Sequence, residues 1–160
     1  MIQAVSHDEQ MRVRSKHVIL VEDRPDEVTL FERALRAADL GPNLEVCPDV
    51  ETAEAHLFSR SVSGAPRRPD LVVLDVKLPR TDGLTLLRQI RSDARLRRTP
   101  VVMFTASAEE RDRMRGYALG ANSYIQKPTN YAVLEDMVRQ LFVYWLVVNT
   151  PAPLIMGEFS

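Results

Sequence analysis

The side chains best suited to chemistry in this sequence stand directly after short apolar segments. Glu22 and Asp23 follow the first such segment, Asp75 the third and Lys127 the fifth, while Thr105 ends the fourth. If these segments are neighbouring parallel strands about 4.8 Å apart, the carboxylates at their ends converge within reach of one hard cation. Three carboxylate oxygens completed by water suit Mg²⁺. The spacing therefore predicts a magnesium site at one edge of a sheet.

The formal charges of this group predict a reaction at Asp75. The carboxylates of Glu22, Asp23 and Asp75 are balanced only when both Mg²⁺ and the Lys127 ammonium are present. A carboxylate nucleophile that forms an aspartyl phosphate is established chemistry. If Asp75 accepts a phosphoryl group, its charge changes from about -1 to about -2. The metal, Lys127 and the Thr105 hydroxyl can then contact the new oxygens.

Each of these residues also has a simpler explanation. Asp23 could accept hydrogen bonds from the free N–H groups of the next helix, and Thr105 is a good strand residue. Asp75 could merely end a strand, although a carboxylate after four apolar residues is costly to bury without a cation or donor. Lys127 is more informative, because lysine occupies only three of the 21 Lys and Arg positions. Lysine offers a compact point charge that suits one small anion beside a metal.

Five apolar, β-branched segments alternate with five amphipathic ones along the chain. The predicted strands cover residues 17–22, 44–47, 71–75, 100–105 and 122–126, and the predicted helices cover residues 25–38, 50–58, 83–90, 108–119 and 131–148. A long surface loop is expected at residues 59–69. Regular alternation with short connections predicts an α/β fold of three layers, in which helices cover both faces of one doubly wound, five-stranded parallel sheet. Ligands of such sheets bind beyond the carboxyl ends of the strands.

Length and composition exclude several classes of protein. A chain of 160 residues with 45% hydrophobic and 27% charged residues is typical of one globular domain. The net charge of -1 argues against general binding to nucleic acid or anionic membranes. The longest apolar run, residues 141–148, is shorter than the about 20 residues of a membrane span. One cysteine, Cys47, and three scattered histidines predict neither disulfide nor zinc site, and fit a reducing cytoplasmic setting.

We expect a flexible tail at residues 1–16, a domain at 17–148 and a tail at 149–160.

The residues at the strand ends resemble the receiver domains of two-component response regulators. The resemblance extends over about residues 17 to 148. It rests on four motifs, which are the acidic pair Glu22–Asp23, the sequence Asp75-Val-Lys-Leu-Pro-Arg-Thr-Asp-Gly83, the pair Thr105–Ala106 and the pair Lys127–Pro128. It implies a CheY-like, flavodoxin-like sheet with strand order 2-1-3-4-5.

The resemblance also implies a role for each matching residue. Asp75 would accept phosphate from a sensor histidine kinase, with Thr105 and Lys127 contacting the phosphoryl oxygens. Asp23 would chiefly bind Mg²⁺, Glu22 would assist, and Lys77 would lend its backbone carbonyl. The bond between Lys127 and Pro128 would be cis. Such a domain is a signalling module, and catalyses only its own phosphoryl transfer and dephosphorylation.

Other segments resemble the single-domain receivers that serve phytochrome-type kinases. They are the loop at residues 59–69, the sequence Arg-Arg-Thr-Pro-Val-Val before Thr105, and the segments at residues 144–146 and 150–153. A bacterial phytochrome is therefore the expected type of kinase. Lys77 departs from the usual pattern, because it places a mobile cation at the mouth of the site and leaves the lifetime of the phosphoryl group open.

Two alternative functions use the same residues. A metal-dependent phosphohydrolase with an aspartate nucleophile would carry a D-x-D pattern, but Lys77 stands at the position of the second acid. A pseudo-receiver that acts only as a scaffold would have lost at least one site residue, and none is lost. A basic stretch that could suggest DNA contact is more simply a solvated helix face, since no helix-turn-helix segment is present; it contains Arg88, Arg91, Arg95, Arg97 and Arg98.

Two further expectations concern signalling and assembly. Tyr124 is expected to be a switch residue whose ring fills the volume that Thr105 vacates when its hydroxyl moves toward the phosphate. The last predicted helix becomes apolar all round, which predicts a homodimer through an interface of Phe142, Val143, Leu146 and Val147. The alternatives are a short apolar patch that arises by chance, burial of this face under residues 150–160, or a local strand.

Overall fold

The sheet has the predicted architecture. The structure, a computed structural model, describes residues 4–59 and 68–153. All neighbouring strands are parallel and follow the order β2-β1-β3-β4-β5. The strands are β1 (His17–Val21), β2 (Asn43–Cys47), β3 (Leu71–Leu74), β4 (Val101–Thr105) and β5 (Ser123–Gln126). Every residue of β1, β3 and β4 is buried, which explains why these segments are apolar without alternation.

In the described residues, six α-helices connect or flank the strands. They are α1 (His7–Val13), α2 (Pro25–Ala37), α3 (Val50–Phe58), α4 (Gly83–Ser92), α5 (Glu110–Ala118) and α6 (Tyr131–Val143), and α6 continues as a π-helical segment, Tyr144–Val148. Local chemistry sets their starts. Asp49, Asp82 and Asn130 accept backbone N–H bonds as N-caps of α3, α4 and α6, and Pro25 opens α2.

Each face of the sheet carries its own apolar core. Consecutive strand residues alternate between the two cores, as Val72 and Val73 of β3 do. Helices α1, α2 and α6 cover one face, and α3 and α4 cover the other. On the first face the ring of Phe31 meets those of Phe104 and Phe142 edge to face, at centroid distances of 5.2 and 5.9 Å. The predicted three-layer α/β fold is confirmed.

The segment before β1 is helical, so the prediction of a flexible tail over residues 1–16 is wrong for residues 7–13. Ser6 and Glu9 form a capping box, in which the Ser6 hydroxyl accepts from the Glu9 N–H and the Glu9 carboxylate accepts from the Ser6 N–H. Val13 is fully buried in the core beside α2 and α6. The helix therefore belongs to the domain.

The predicted dimer face at the end of α6 is largely covered by the chain itself. Phe142, Val143 and Leu146 are buried in the core of the same chain, so they do not form the exposed face that the sequence predicted. The reason is that α1 contacts the π-helical segment and the wider turn of that segment changes which residues face outward. Tyr144 and Val148 are instead 49% and 62% exposed.

Part of the basic stretch has a structural role. The Arg91 guanidinium donates to the carbonyls of Gly120 and Thr99 at 2.8 Å each, and burial lowers its pKa. Arg95 donates to the carbonyl of Leu57. Arg88, Arg97 and Arg98 are exposed. The prediction of a solvated face is therefore wrong for Arg91, which joins the loops before β4 and β5, and for Arg95, which binds the last turn of α3.

Other sequence predictions concern the loop and the C-terminal tail. Residues 60–67 of the loop and 154–160 of the tail lie outside the described residues. Residues 151–153 are exposed and form no helix or strand. Within the described ranges, none of the helices combines the length and the apolar character that a bilayer crossing requires.

Candidate functional site

Three carboxylates meet at the carboxyl ends of two adjacent strands. Glu22 and Asp23 follow β1, and Asp75 follows β3, which pairs with β1. One carboxylate oxygen from each residue lies within 4.8 Å of the others. Glu22 and Asp75 are buried, whereas Asp23 is exposed. Oxygen donors at this separation, with one of them open to solvent, fit a hexacoordinate hard cation such as Mg²⁺, and the predicted convergence is confirmed for all three residues.

Lys127 joins this cluster from the far edge of the sheet. Its Nζ donates to Asp75 Oδ2 at 2.8 Å, to Glu22 Oε2 at 3.0 Å, and to Glu27 Oε2. Burial alone would lower the pKa of Lys127, but the surrounding carboxylates, Asp75 first, raise it above its ordinary value. Lys127 is therefore a permanent cation at the base of the site.

Glu22 is the carboxylate most affected by its surroundings. Burial raises the pKa of Glu22 to about 8, and repulsion from Asp75 and Glu27 adds to this against the attraction of Lys127. Burial therefore disfavours the charged form of Glu22, and a bound cation would favour it. This fits an assisting role for Glu22 and leaves the exposed Asp23 as the first carboxylate that a cation meets.

Glu27 is a site residue that the sequence analysis missed. It is 7% exposed on α2 and is the third carboxylate bound to Lys127. A signal was present, because Glu27 stands with Leu30, Phe31 and Ala34 at helical spacing, on the stripe that faces the core. A lone charged residue on an apolar stripe indicates a buried ionic partner.

The bond between Lys127 and Pro128 is trans, because the described residues contain no cis peptide bond. The cis bond that the resemblance implied is therefore wrong for this structure. Lys127 reaches its three carboxylates from the trans backbone.

Thr105, Ser107 and Tyr124 form a hydrogen-bonded group beside Asp75. Thr105 ends β4, the neighbour of β3, and is fully buried. Its Oγ1 accepts from the Ser107 N–H at 3.2 Å, and the Tyr124 hydroxyl donates to the Ser107 carbonyl at 3.2 Å. Thr105 and Tyr124 therefore meet through one residue that the sequence analysis did not identify.

Asp112 on α5 contacts both Ser107 and Lys77. Its Oδ2 accepts from the Ser107 hydroxyl at 2.6 Å and lies 3.5 Å from Lys77 Nζ. The Ser107 hydrogen bond, opposed by burial and helped by Lys77, holds the pKa of Asp112 below its ordinary value. The Lys77 backbone N–H meanwhile donates to Asp75 Oδ1 at 3.1 Å.

Gly83 closes the loop that follows Asp75. Its N–H donates to the carbonyl of Val76 at 2.9 Å, and a Cβ at this position would lie 1.9 Å from the backbone oxygen of Asp75. Only glycine lets the first turn of α4 approach the acidic strand end this closely.

The doubly wound sheet, with an acidic cation site and a buried lysine at the strand ends, defines a domain of the CheY-like class. Comparison with known proteins identifies the family. The family model of the response regulator receiver domain matches residues 18–139. The chain therefore belongs to the response regulator receiver domain family, whose members act in two-component phosphorelays.

The chain is similar to known response regulators, one of which is described as a phytochrome response regulator. The chain is 33% identical to Response regulator Rcp1 of Synechocystis sp. over 86% of this chain and 94% of Rcp1. The phosphorylated cyanobacterial phytochrome response regulator RcpA superposes with a TM-score of 0.80 at 33% identity, covering 87% of this chain and 99% of RcpA. The Mn²⁺-bound form of Rcp1 gives a TM-score of 0.80 at 32% identity, covering 86% and 99%.

Proposed function

We propose that Asp75 accepts the phosphoryl group, with Mg²⁺ bound by Asp23, Glu22, Asp75 and the backbone carbonyl of Lys77. The observation that carries this assignment is the central position of Asp75. It is the carboxylate that both joins the cation cluster and follows the strand between β1 and β4. A phosphoryl group at this position lies between the cation cluster, Lys127 and the end of the strand that carries Thr105.

The proposed reaction is a transfer between two side chains. A carboxylate oxygen of Asp75 attacks the phosphorus of a phosphohistidine, the new O–P bond forms as the P–N bond breaks, and the histidine nitrogen leaves. The bound cation would neutralise charge on the transferring oxygens. Lys127 Nζ, already on Asp75 Oδ2, and the Thr105 hydroxyl then stabilise the product. Separate substrates are not turned over.

A phytochrome-type histidine kinase is the proposed donor. The support is the similarity to RcpA and Rcp1, of which RcpA is described as a phytochrome response regulator. A cytoplasmic location belongs to this proposal, because histidine kinases are charged from ATP in that compartment.

Phosphotransfer from purified kinases tests the proposed function. Each autophosphorylated histidine kinase of the source organism is mixed with this protein and Mg²⁺, and loss of label from the kinase is followed over seconds to minutes. We expect one phytochrome-type kinase to transfer at least about tenfold faster than the others, which corresponds to about 1.4 kcal/mol of discrimination. Transfer from no kinase would refute the proposed function, and fastest transfer from an unrelated kinase would refute the proposed donor.

Tyr124 is proposed to signal the phosphorylated state. In the present structure its hydroxyl is tied to the Ser107 carbonyl, and Ser107 is tied to Thr105. Movement of the Thr105 hydroxyl toward a phosphoryl oxygen breaks this arrangement and opens space for the ring. We expect crystal structures with and without beryllofluoride to show different Tyr124 rotamers. An unchanged rotamer together with an unchanged Thr105 would contradict the switch.

A homodimer through the C-terminal helix remains proposed, with a revised interface. Tyr144 and Val148 are the exposed apolar residues at this end, and Val147 is half-buried beside them. We expect a dimer at micromolar concentration in sedimentation experiments, and a folded monomer after Tyr144→Glu with Val148→Glu. Substitution of the buried Val143 would test folding instead.

The matched control for the dimer is Tyr117→Glu on α5. Tyr117 is 52% exposed, so the same kind of charge is introduced on a different surface. We expect this variant to remain dimeric. A wild-type protein that stays monomeric at high concentration would refute the dimer, and a dimer that survives both C-terminal substitutions would refute this interface.

A further inference from the structure

Asp112 is an unusual partner for a lysine at the mouth of the site. Its side chain is 5% exposed, whereas the Lys77 side chain is 61% exposed. The carboxylate is fixed at 2.6 Å by the Ser107 hydroxyl, and it lies 3.5 Å from Lys77 Nζ. The exposed Lys77 ammonium is thus paired with a buried carboxylate whose position is fixed by its hydrogen bond to Ser107.

The backbone of Lys77 is tied to a different group. Its N–H donates to Asp75 Oδ1, so the start of the side chain is fixed beside the acceptor carboxylate. The end of the side chain is drawn away toward α5 by Asp112 and by Glu109, at 3.8 Å. Once Asp75 carries a phosphoryl group, the Lys77 ammonium can therefore pair either with the Asp112 carboxylate or with the phosphoryl oxygens.

We propose that Asp112 is a positioning residue that holds Lys77 away from Asp75 and thereby shortens the lifetime of the phosphoryl group. This inference rests on the proposed function of Asp75. The phosphoryl group adds about one negative charge beside the fixed end of Lys77, so it competes with Asp112 for the ammonium. When Lys77 lies over the phosphoryl oxygens, it stabilises their charge and occupies the approach of water.

The step that Lys77 opposes is hydrolysis. A water oxygen attacks the phosphorus and the bond from phosphorus to the Asp75 oxygen breaks. Inorganic phosphate leaves with one of the water's protons, and the other proton passes to solvent. The Asp75 carboxylate is restored. While Lys77 is paired with Asp112, water can reach the phosphorus.

Asp112→Asn separates the two contacts of the carboxylate. The amide oxygen still accepts from the Ser107 hydroxyl, but the neutral group no longer attracts Lys77. We expect the phosphoryl group to last about twofold to fivefold longer, the range for an ion pair with one exposed partner. The lifetime is measured as the loss of label after removal of a small phosphodonor, in excess Mg²⁺.

A double-mutant cycle distinguishes positioning from a structural effect. We expect Lys77→Met to shorten the lifetime, and Asp112→Asn to have no effect on lifetime in the Lys77→Met background. Asp112→Glu should restore a short lifetime because it restores the charge. Glu109→Gln is the matched control, because Glu109 is 55% exposed near the same ammonium; we expect less than about a twofold change.

The outcomes separate this inference from the proposed function. A wild-type protein that takes up no phosphate refutes the function of Asp75. Labelled wild type with an unchanged lifetime in Asp112→Asn refutes the role of Asp112 alone. An equal effect of Asp112→Asn with and without Lys77 also refutes it. Lys77→Met changes a solvent-exposed side chain, so its phosphoryl lifetime gives a second measurement that does not depend on how Asp112→Asn folds.

Discussion

Asp75→Asn is expected to take up no phosphate from acetyl phosphate, under conditions in which the wild-type protein gains one phosphate. A carboxamide oxygen is neutral and a far weaker nucleophile, and the variant also removes one anion from the cation cluster. Excess chelator is expected to abolish labelling of the wild type, because the transferring oxygens then lose their divalent cation. Intact-protein mass spectrometry measures both results.

Asp26→Asn is the matched control for the acceptor. Asp26 is an exposed carboxylate on the first turn of α2. The same chemical change is thus made close to the cation cluster, at a residue that does not belong to it. We expect wild-type labelling. Phosphate on the Asp75→Asn protein, or full labelling of the wild type in chelator, would contradict the assignment of Asp75 and of its cation.

Gly83→Ala is expected to lower both stability and phosphate uptake. The added Cβ would lie 1.9 Å from the backbone oxygen of Asp75 and 2.9 Å from its carbonyl carbon, and backbone atoms cannot move aside as a flexible side chain can. Either α4 or the end of β3 must shift, and both positions bear on Asp75. Overpacking of this kind costs about 1–3 kcal/mol, occasionally more. Thermal unfolding followed by circular dichroism measures the loss.

Gly41→Ala adds the same methyl group where there is room for it. Among the described residues other than its two chain neighbours, none has an atom within 4 Å of the Cβ position at Gly41, so we expect a change in stability within about 0.5 kcal/mol. The prediction fails if Gly83→Ala melts with the wild type, or if Gly41→Ala loses as much stability. Retained labelling in a destabilised Gly83→Ala protein would show that Asp75 tolerates the shift.

The strands and the acidic cluster could be predicted because both follow from local rules. Parallel strands buried on both faces need continuous apolar runs, and the residues after these runs must meet at one edge. Asp75 and Lys127 were found in this way although they are 52 positions apart in sequence. The strand order itself came from the resemblance to a family.

The parts that sequence reasoning missed depend on contacts between distant elements. The helical spacing of Glu27 marks it as core-facing, but its partner Lys127 comes from the end of the sheet's far strand, and no local pattern specifies that contact. The outward face at Val143 and Leu146 was assigned from helical spacing alone. That assignment failed because α1 covers this end and the turn of the helix widens after Val143. The capping box of Ser6 and Glu9 was visible in the sequence, but it lay in a segment expected to be flexible.

The third carboxylate on Lys127 changes what a receiver of this kind can report. With a divalent cation bound, the four anions Glu22, Asp23, Glu27 and Asp75 exceed the cationic charge by one, and a phosphoryl group widens the imbalance. We therefore expect the site to bind its cation readily and to retain a phosphoryl group only briefly. The amount of phosphorylated protein would then follow the current output of the kinase and fall soon after the stimulus ends.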